Sequence, residues 1–567
     1  MEINKRAILW IVFSVSLVLL WNQWMVSKGN PSFFAPSAAK QAPAAAPASA
    51  PAALAAASAA SAAAPAAAPA AEGEAAPLKT EVVTITTDVF KVDIDTAGGV
   101  IKRLELLNYK RSGNPGWFNR CFGKENMDWC KGNHESQKNE VLFDVDGHKT
   151  FLARTGLAGV GVPNHRTAFV AKPGARVLDG KDQIQLVLEA EQGGVKLTKT
   201  FTFKKGDYTI GVQHDVTNLG TAAISPTLYL QLVHDGNKPA ESSYFYSSYT
   251  GPTLFTDEKK YEKLEFQKIA EKKAEHATQA NNGWIAIVQH FFVSAFVPQD
   301  KAQREFVTEQ IEPNIFAITN KLPMGTVAPG QTISQSAKLY SGPQVNLDKV
   351  APELDLVKDY GWLTIIAKPI FAFMNLLHAG IGNWGWTIVA LTVIIKLAFF
   401  PLSAAGFKST AKMKTLMPKI NALREKHKND PQKLNMATME LYKAEKINPL
   451  GGCLPILVQM PVFFALYWVL QASVEMRGAP WLGWITDLTQ PDTWAVLPVI
   501  YAISMFITTK LNPAPADPMQ AKMMMWMPLM FSVMFFFFPS GLVLYWVVNN
   551  ILSIGQQWYI TKKYGTQ

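Results

Sequence analysis

Trp384-Gly385-Trp386-Thr387-Ile388-Val389-Ala390-Leu391-Thr392-Val393-Ile394-Ile395-Lys396-Leu397-Ala398-Phe399-Phe400 continues through Pro401 to Phe407 with one charge in the whole run. A stretch of this length and apolarity spans a bilayer as a helix, which takes about 20 residues. A lysine near its middle costs roughly 2.5–3.5 kcal/mol on insertion scales. The ammonium must therefore face a hydrated cavity, a partner or other protein, and it marks Lys396 as a functional position. The stretch also fixes the fold class of the C-terminal part as helical membrane protein.

Outward from this run the 567-residue chain divides by composition. Residues 453–471 and 494–509 are further apolar runs, and a block over 523–559 is too long for one span. Pro539-Ser540-Gly541 breaks that block into two. The spans of about 16 residues are short enough to thin the bilayer locally. Upstream, residues 7–26 are apolar after Lys5 and Arg6. They read as an uncleaved signal anchor, with a cleaved signal peptide as the alternative. Six spans result, with 1–6 and the C-terminus cytoplasmic.

The charge distribution agrees with this topology. The net charge is +10, but Lys and Arg concentrate in 408–446, where ten face four acidic residues. That is a cytoplasmic loop under the positive-inside rule rather than a nucleic-acid surface. Met413, Leu416, Met417, Ile420 and Leu423 mark one helical face, Asn429-Asp430-Pro431 turns the chain, and Leu434, Ala437, Leu441 and Ala444 mark a second. A cytoplasmic helical hairpin over 408–447 is expected.

Between the first span and the rest, residues 27–79 form an Ala/Pro-rich tether that buries no core. Residues 80–353 then alternate in period two. Phe90, Val92 and Ile94 oppose Lys91, Asp93 and Asp95; Phe201 and Phe203, then Tyr208, Ile210, Val212 and Val216, repeat the pattern. Glycine turns such as Gly98-Gly99, Asp146-Gly147, Asp179-Gly180 and Gly206-Asp207 punctuate it. The expectation is a periplasmic β-sandwich with a charged helical insertion near 259–276. Residues 354–380 carry apolar positions at helical spacing interrupted by Lys368-Pro369. They read as an amphipathic helix in the outer interface, because a crossing here would put the basic loop outside.

Few residues carry chemistry. Cys121 and Cys130 are available to pair if their region is extracytoplasmic, and no Cys/His spacing suits a metal. No phosphate loop, HExxH or GxSxG occurs, so nucleotide hydrolysis and common hydrolase chemistry have no support and no cofactor is expected. No Asp or Glu lies within any expected span, which argues against an ion-coupled transporter. His214 falls on the apolar face of its strand and reads as a core histidine. Thr392 precedes Lys396 by one helical turn, and Gln459 lies mid-way along the next span between Pro455 and Pro461. Asn549, Asn550, Gln556 and Gln557 dot the last span. The methionines at 519, 523, 524, 525, 527, 530 and 534 offer adaptable surface, for lipid or for a client.

Asn383-Trp384-Gly385-Trp386, Pro401-Leu402, Tyr442-Lys443-Ala444-Glu445-Lys446, Asn448-Pro449-Leu450-Gly451-Gly452-Cys453, Gln459-Met460-Pro461 and Phe538-Pro539-Ser540-Gly541-Leu542 occur in this order. Together they resemble the YidC/Oxa family of membrane protein insertases, in its Gram-negative YidC form. The resemblance covers essentially the whole chain. It implies a bacterial inner-membrane protein with a mutarotase-like periplasmic sandwich and a five-helix core over 381–567, around a hydrated groove. It further implies that Lys396, Thr392 and Gln459 line the groove, and that the protein inserts and chaperones inner-membrane proteins without nucleotide hydrolysis, not as an enzyme. Implied partners are nascent membrane proteins, the Sec translocon and its accessory subunits, ribosomes or targeting factors at the basic hairpin, and membrane lipids. The groove position is usually arginine; lysine keeps the charge and loses the planar fork. The competing readings are a transporter or channel with a periplasmic receptor domain, and a tethered sugar-binding protein or enzyme.

Overall fold

The computed structural model describes residues 80–111, 138–147, 149–237, 249–427, 430–445, 454–511, 525–526 and 532–564. The expected N-terminus, first span and tether, the three cysteines, residues 523–524 and 527–531 of the fifth span, and the methionine run except Met525 and Met534 lie outside these residues.

The alternating segment folds into two antiparallel sheets, of ten and nine strands among the described residues. The periodicity works as anticipated: Phe90, Val92, Ile94, Phe201, Phe203, Ile210, Val212 and Val216 all enter one core. Alternation fails at Asp95, which is buried next to the buried Ile94. A bulge between Asp93 and Ile94 shifts the register there, so Ile94 pairs with Ile101. Asp95 then makes an ion pair with Lys102 at 2.5 Å. The turn at Gly98 is obligatory: φ is +82°, and a Cβ there would lie 2.1 Å from the His165 carbonyl oxygen.

His214 is a core histidine, as its position suggested. It is fully buried, its Nε2 shares a 2.8 Å hydrogen bond with Thr155 Oγ1, and burial pushes it down to about 3, so it stays neutral. The charged insertion differs from expectation. Residues Lys260–Lys263 extend as a strand, and helix is confined to the five-residue α1, Phe266–Ala270. The strand pairs with Gly251–Thr256, and edge pairing overrides the helical propensity of the lysines and glutamates.

Two 3-10 turns, Leu354–Val357 and Gly361–Leu363, lead from the sandwich into α2, Thr364–Ile381. Pro369 does not interrupt α2 as the sequence suggested; it lies inside a continuous helix. At the sixth position of α2 it deprives only the Ile365 carbonyl of its usual donor, and Ile365 is an exposed residue of the first turn. α2 closes on Gly382 at φ +73°. Asn383 then caps α3, Trp384–Ala398, by accepting a hydrogen bond from the Trp386 amide at 3.1 Å. Gly385 admits the Trp481 ring, which would lie 2.3 Å from a Cβ at that position.

The run 384–407 is not one straight helix. It bends by 67° at Phe399. α4, Phe400–Lys426, starts there with Pro401 in its first turn, where a missing amide costs nothing. The first arm of the hairpin therefore begins at Phe400 rather than 408. α5, Pro431–Ala444, is the second arm, capped by Asp430 on the amides of Gln432 and Lys433. α6, Leu454–Ala472, passes through Pro461; α7 is Val496–Leu511; α8, Ser540–Tyr564, begins directly after Pro539 as the break predicted. α8 packs against α3, α4, α6 and α7, and α2 packs against α3 and α6. Among the described residues, α2 alone is long and apolar enough to cross a membrane by itself, and α3 with α4 passes as a bent pair.

The sandwich is joined to the helices by the segment after α6. Arg477, nearly fully buried, pairs with Glu140 at 2.6 Å, donates to the Lys110 carbonyl at 3.1 Å and lies over the rings of Phe291 and Phe292. His290 Nε2 meets the Gln471 carbonyl at 2.9 Å, and Lys358 pairs with Glu475 at 3.1 Å.

Candidate functional site

Lys396 occupies the last turn of α3, just ahead of the bend. This changes the energetic picture drawn from the sequence. The ammonium lies beside the carbonyl end of a helix, where the backbone dipole favours a cation, rather than at the middle of a straight span.

The side chain is 8% exposed and turned toward α6 and α8. Its Nζ donates to Ser553 Oγ at 2.7 Å and reaches Gln459 Oε1 at 3.5 Å. Ser553 in turn donates its hydroxyl to the Asn549 carbonyl at 2.7 Å, a back-bond within α8. Gln459 Nε2 contacts Tyr545 Oη at 3.2 Å and also bonds Asn549 Oδ1. Among the described residues every acceptor bonded to the ammonium is thus a neutral hydroxyl or amide. Among the described residues no carboxylate pairs with Lys396. In a medium of low dielectric such a cation keeps a strong unspent field, because neutral dipoles lower its energy without cancelling its charge.

Lys396 and Gln459, separated by 63 positions, are brought together in the structure. Thr392 shares a helix face with Lys396 and is buried, but its hydroxyl donates to the Ile388 carbonyl at 2.7 Å within its own helix. The residues that sequence reasoning missed are Ser553 and Tyr545. Tyr545, Asn549 and Ser553 recur every four positions along α8, so one face of the last helix presents three polar groups to Lys396 and Gln459. That spacing was a readable signal. Asn550, on the adjacent face, donates instead to Ser504 of α7 at 3.2 Å and acts as a helix-to-helix tie.

The two halves of the chain each match a known family. Residues 376–567 match the family described as 60Kd inner membrane protein, and residues 129–373 match the YidC periplasmic domain. Membrane protein insertase YidC of Janthinobacterium sp. (strain Marseille) is 54% identical over 99% of this chain and 99% of its own length. Its counterpart in Cupriavidus taiwanensis is 53% identical over 99% and 98%. The chain belongs to the YidC family of membrane protein insertases. A crystal structure of an active YidC insertase with its first transmembrane domain resolved is 19% identical, covering 84% of this chain and 92% of that one at a TM-score of 0.39. A galactose mutarotase related enzyme from Lactobacillus acidophilus is 9% identical over 46% of this chain and 97% of its own, at a TM-score of 0.29. Membership of this family makes the chain an inner-membrane protein with a periplasmic domain, and its substrates membrane proteins.

Proposed function

We propose that this insertase accepts the short polar tail of a client at Lys396, in a groove formed by α3, α6 and α8. The observation that carries the reading is a buried ammonium whose partners among the described residues are Ser553 and Gln459, both neutral. An acidic group on the client supplies the charge that the protein withholds. At 4 Å and an effective dielectric near 20 one such pair contributes roughly 4 kcal/mol before desolvation losses. The client's apolar segment moves into lipid at the same time, and burial of that surface drives the process without nucleotide. Thr392 then contributes a packed wall one turn away rather than a donor.

The topology that goes with this reading has six spans, both termini and the hairpin α4–α5 in the cytoplasm, and the sandwich in the periplasm. α2 lies in the outer interface, which keeps the basic loop inside. The hairpin, rich in lysine, meets ribosomes or targeting factors, and the Sec translocon with its accessory subunits is a partner for larger clients.

The test is photocrosslinking from positions 396 and 459 to a nascent membrane protein with an acidic N-terminal tail. Adducts from both positions, with few from Trp386 on the exposed face of α3, are expected. A client that crosslinks at Trp386 and never at 396 or 459 would remove the groove from the mechanism.

A further inference from the structure

Where the sandwich meets α2 there is a cleft of about 310 Å³, at the lower end of the range for small-ligand sites. Its walls come from three places: the end of the sandwich at Asp348, the turn and helix at Asp355, Lys358 and Lys368, and Glu475 beyond α6. Lys358 pairs with Glu475 at 3.1 Å and lies 4.9 Å over the Phe371 ring; Lys368 pairs with Asp355 at 3.2 Å. Three carboxylates therefore face two ammonium groups. Asp348 is exposed and makes no ion pair among the described residues, and Glu475 meets Lys358 through Oε1. The cleft is short of one cation, and Lys368, half-exposed at its rim, is available to an anion as well.

Beside this cleft α2 leaves a second face uncovered. Ile365, Phe373 and Leu376 are exposed, with Pro369 and Ala372 between them, whereas Ala367 and Met374 pack inward. The positions lining the cleft, at 368, 371, 372 and 375, form the adjacent stripe. An apolar ridge thus runs along the edge of a polar cleft with a cation deficit.

We propose that the cleft holds the headgroup of a zwitterionic phospholipid bearing a primary ammonium, with the acyl chains lying along the exposed stripe of α2. The ammonium donates to Asp348 and to the Glu475 oxygen that faces Lys358, and the phosphate meets Lys368. A trimethylammonium cannot donate these bonds, and a glycerol headgroup brings no positive charge. The inference rests on the reading that α2 lies in the outer interface.

Delipidated full-length protein is titrated with phosphatidylethanolamine, phosphatidylcholine, phosphatidylglycerol and soluble phosphoethanolamine, and adducts are read by native mass spectrometry. Phosphatidylethanolamine is retained about tenfold over the other two lipids, the ratio for one charge-assisted hydrogen bond. Asp348→Asn and Lys368→Gln, both at exposed or half-exposed positions, each lower that preference severalfold with unchanged thermal melting. Equal retention of the three lipids overturns the headgroup site. Phosphoethanolamine binding as well as the lipid assigns the cleft to a soluble ligand and overturns the lipid. A fluorophore at Leu376→Cys, with Cys121, Cys130 and Cys453 changed to serine, separates the headgroup site from the placement of α2. Quenching by brominated acyl chains without headgroup preference removes the cleft site and keeps α2 in the interface; absence of both removes both.

Discussion

Two buried lysines, one in each half of the molecule, lack a carboxylate partner, and they are satisfied in different ways. Lys199 is wholly inaccessible at the centre of the sandwich. Its Nζ donates to the backbone carbonyls of Gly98 and Thr155, both at 2.7 Å, and lies 4.7 Å over the Phe169 ring. Lys396 keeps a small opening and bonds a serine hydroxyl and, at longer range, a glutamine side chain. Backbone acceptors in a paired strand (Thr155) and a tight turn (Gly98) cannot rotate away, so Lys199 is a fixed tie between the sheets. Side-chain acceptors rotate, so the partners of Lys396 can be exchanged for a visitor's. A buried cation marks function when what satisfies it is replaceable.

The largest effect that would break this contrast concerns Lys199. Lys199→Ala leaves two carbonyls unpaired and a cavity between the sheets, and should destabilise the sandwich by about 3–5 kcal/mol in chemical denaturation. A loss below about 1 kcal/mol would mean that the tie is ornamental. Next comes Lys396→Glu, which reverses the field in the groove. Insertion of clients with acidic tails, followed by protease protection in reconstituted vesicles, should fall at least about tenfold, whereas Lys396→Arg stays within about twofold. Unimpaired insertion by Lys396→Glu would end the charge-attraction mechanism.

The contrast also has a pH signature. Burial pushes Lys199 down to about 7 from its ordinary 10.5, against the pull of its two carbonyls. Between these values the unfolded chain holds a proton that the folded one has released, so folding stability rises with pH. The gain is at most about 1.4 kcal/mol per pH unit above 7. Denaturation midpoints of the sandwich measured from about pH 6 to 9.5 should climb in the wild type and lose that slope in Lys199→Met. The smallest effect is Ser553→Ala, which removes one of the exchangeable acceptors of Lys396. A stability change of about 1 kcal/mol is expected with insertion preserved; abolished insertion would make the hydroxyl indispensable rather than replaceable.

Much of this architecture was legible in the residues. Period-two alternation pointed to the sandwich because each inward side chain is selected by one core. It breaks at the Asp93/Ile94 bulge, and it is absent from strands buried on both faces, such as Gly251–Thr256, Trp284–Val288 and Phe292–Pro298. The break at Pro539 was readable for the same local reason. The bend at Phe399 was not, because hydropathy measures composition along the run and is blind to a change of axis within it. Residues 259–276 misled because helix-forming lysines and glutamates yielded to pairing with Gly251–Thr256, a strand itself held in place by Trp284–Val288. In the site, Lys396 stood out as a lone charge, while Ser553 did not. A serine in a helix is commonplace until its four-residue spacing from Asn549 and Tyr545 is set against a lysine on another helix.

The bend at Phe399 has a mechanical side. α4 runs for 27 residues, about 40 Å at 1.5 Å per residue, from a point just past Lys396 to the turn of the hairpin. A tilt of about 5° about the bend carries the far end of that rod through about 3–4 Å. The far end of the hairpin is thus tied by geometry to a bend one turn from the lysine, so that a small change of angle beside the groove is a large displacement at the tip.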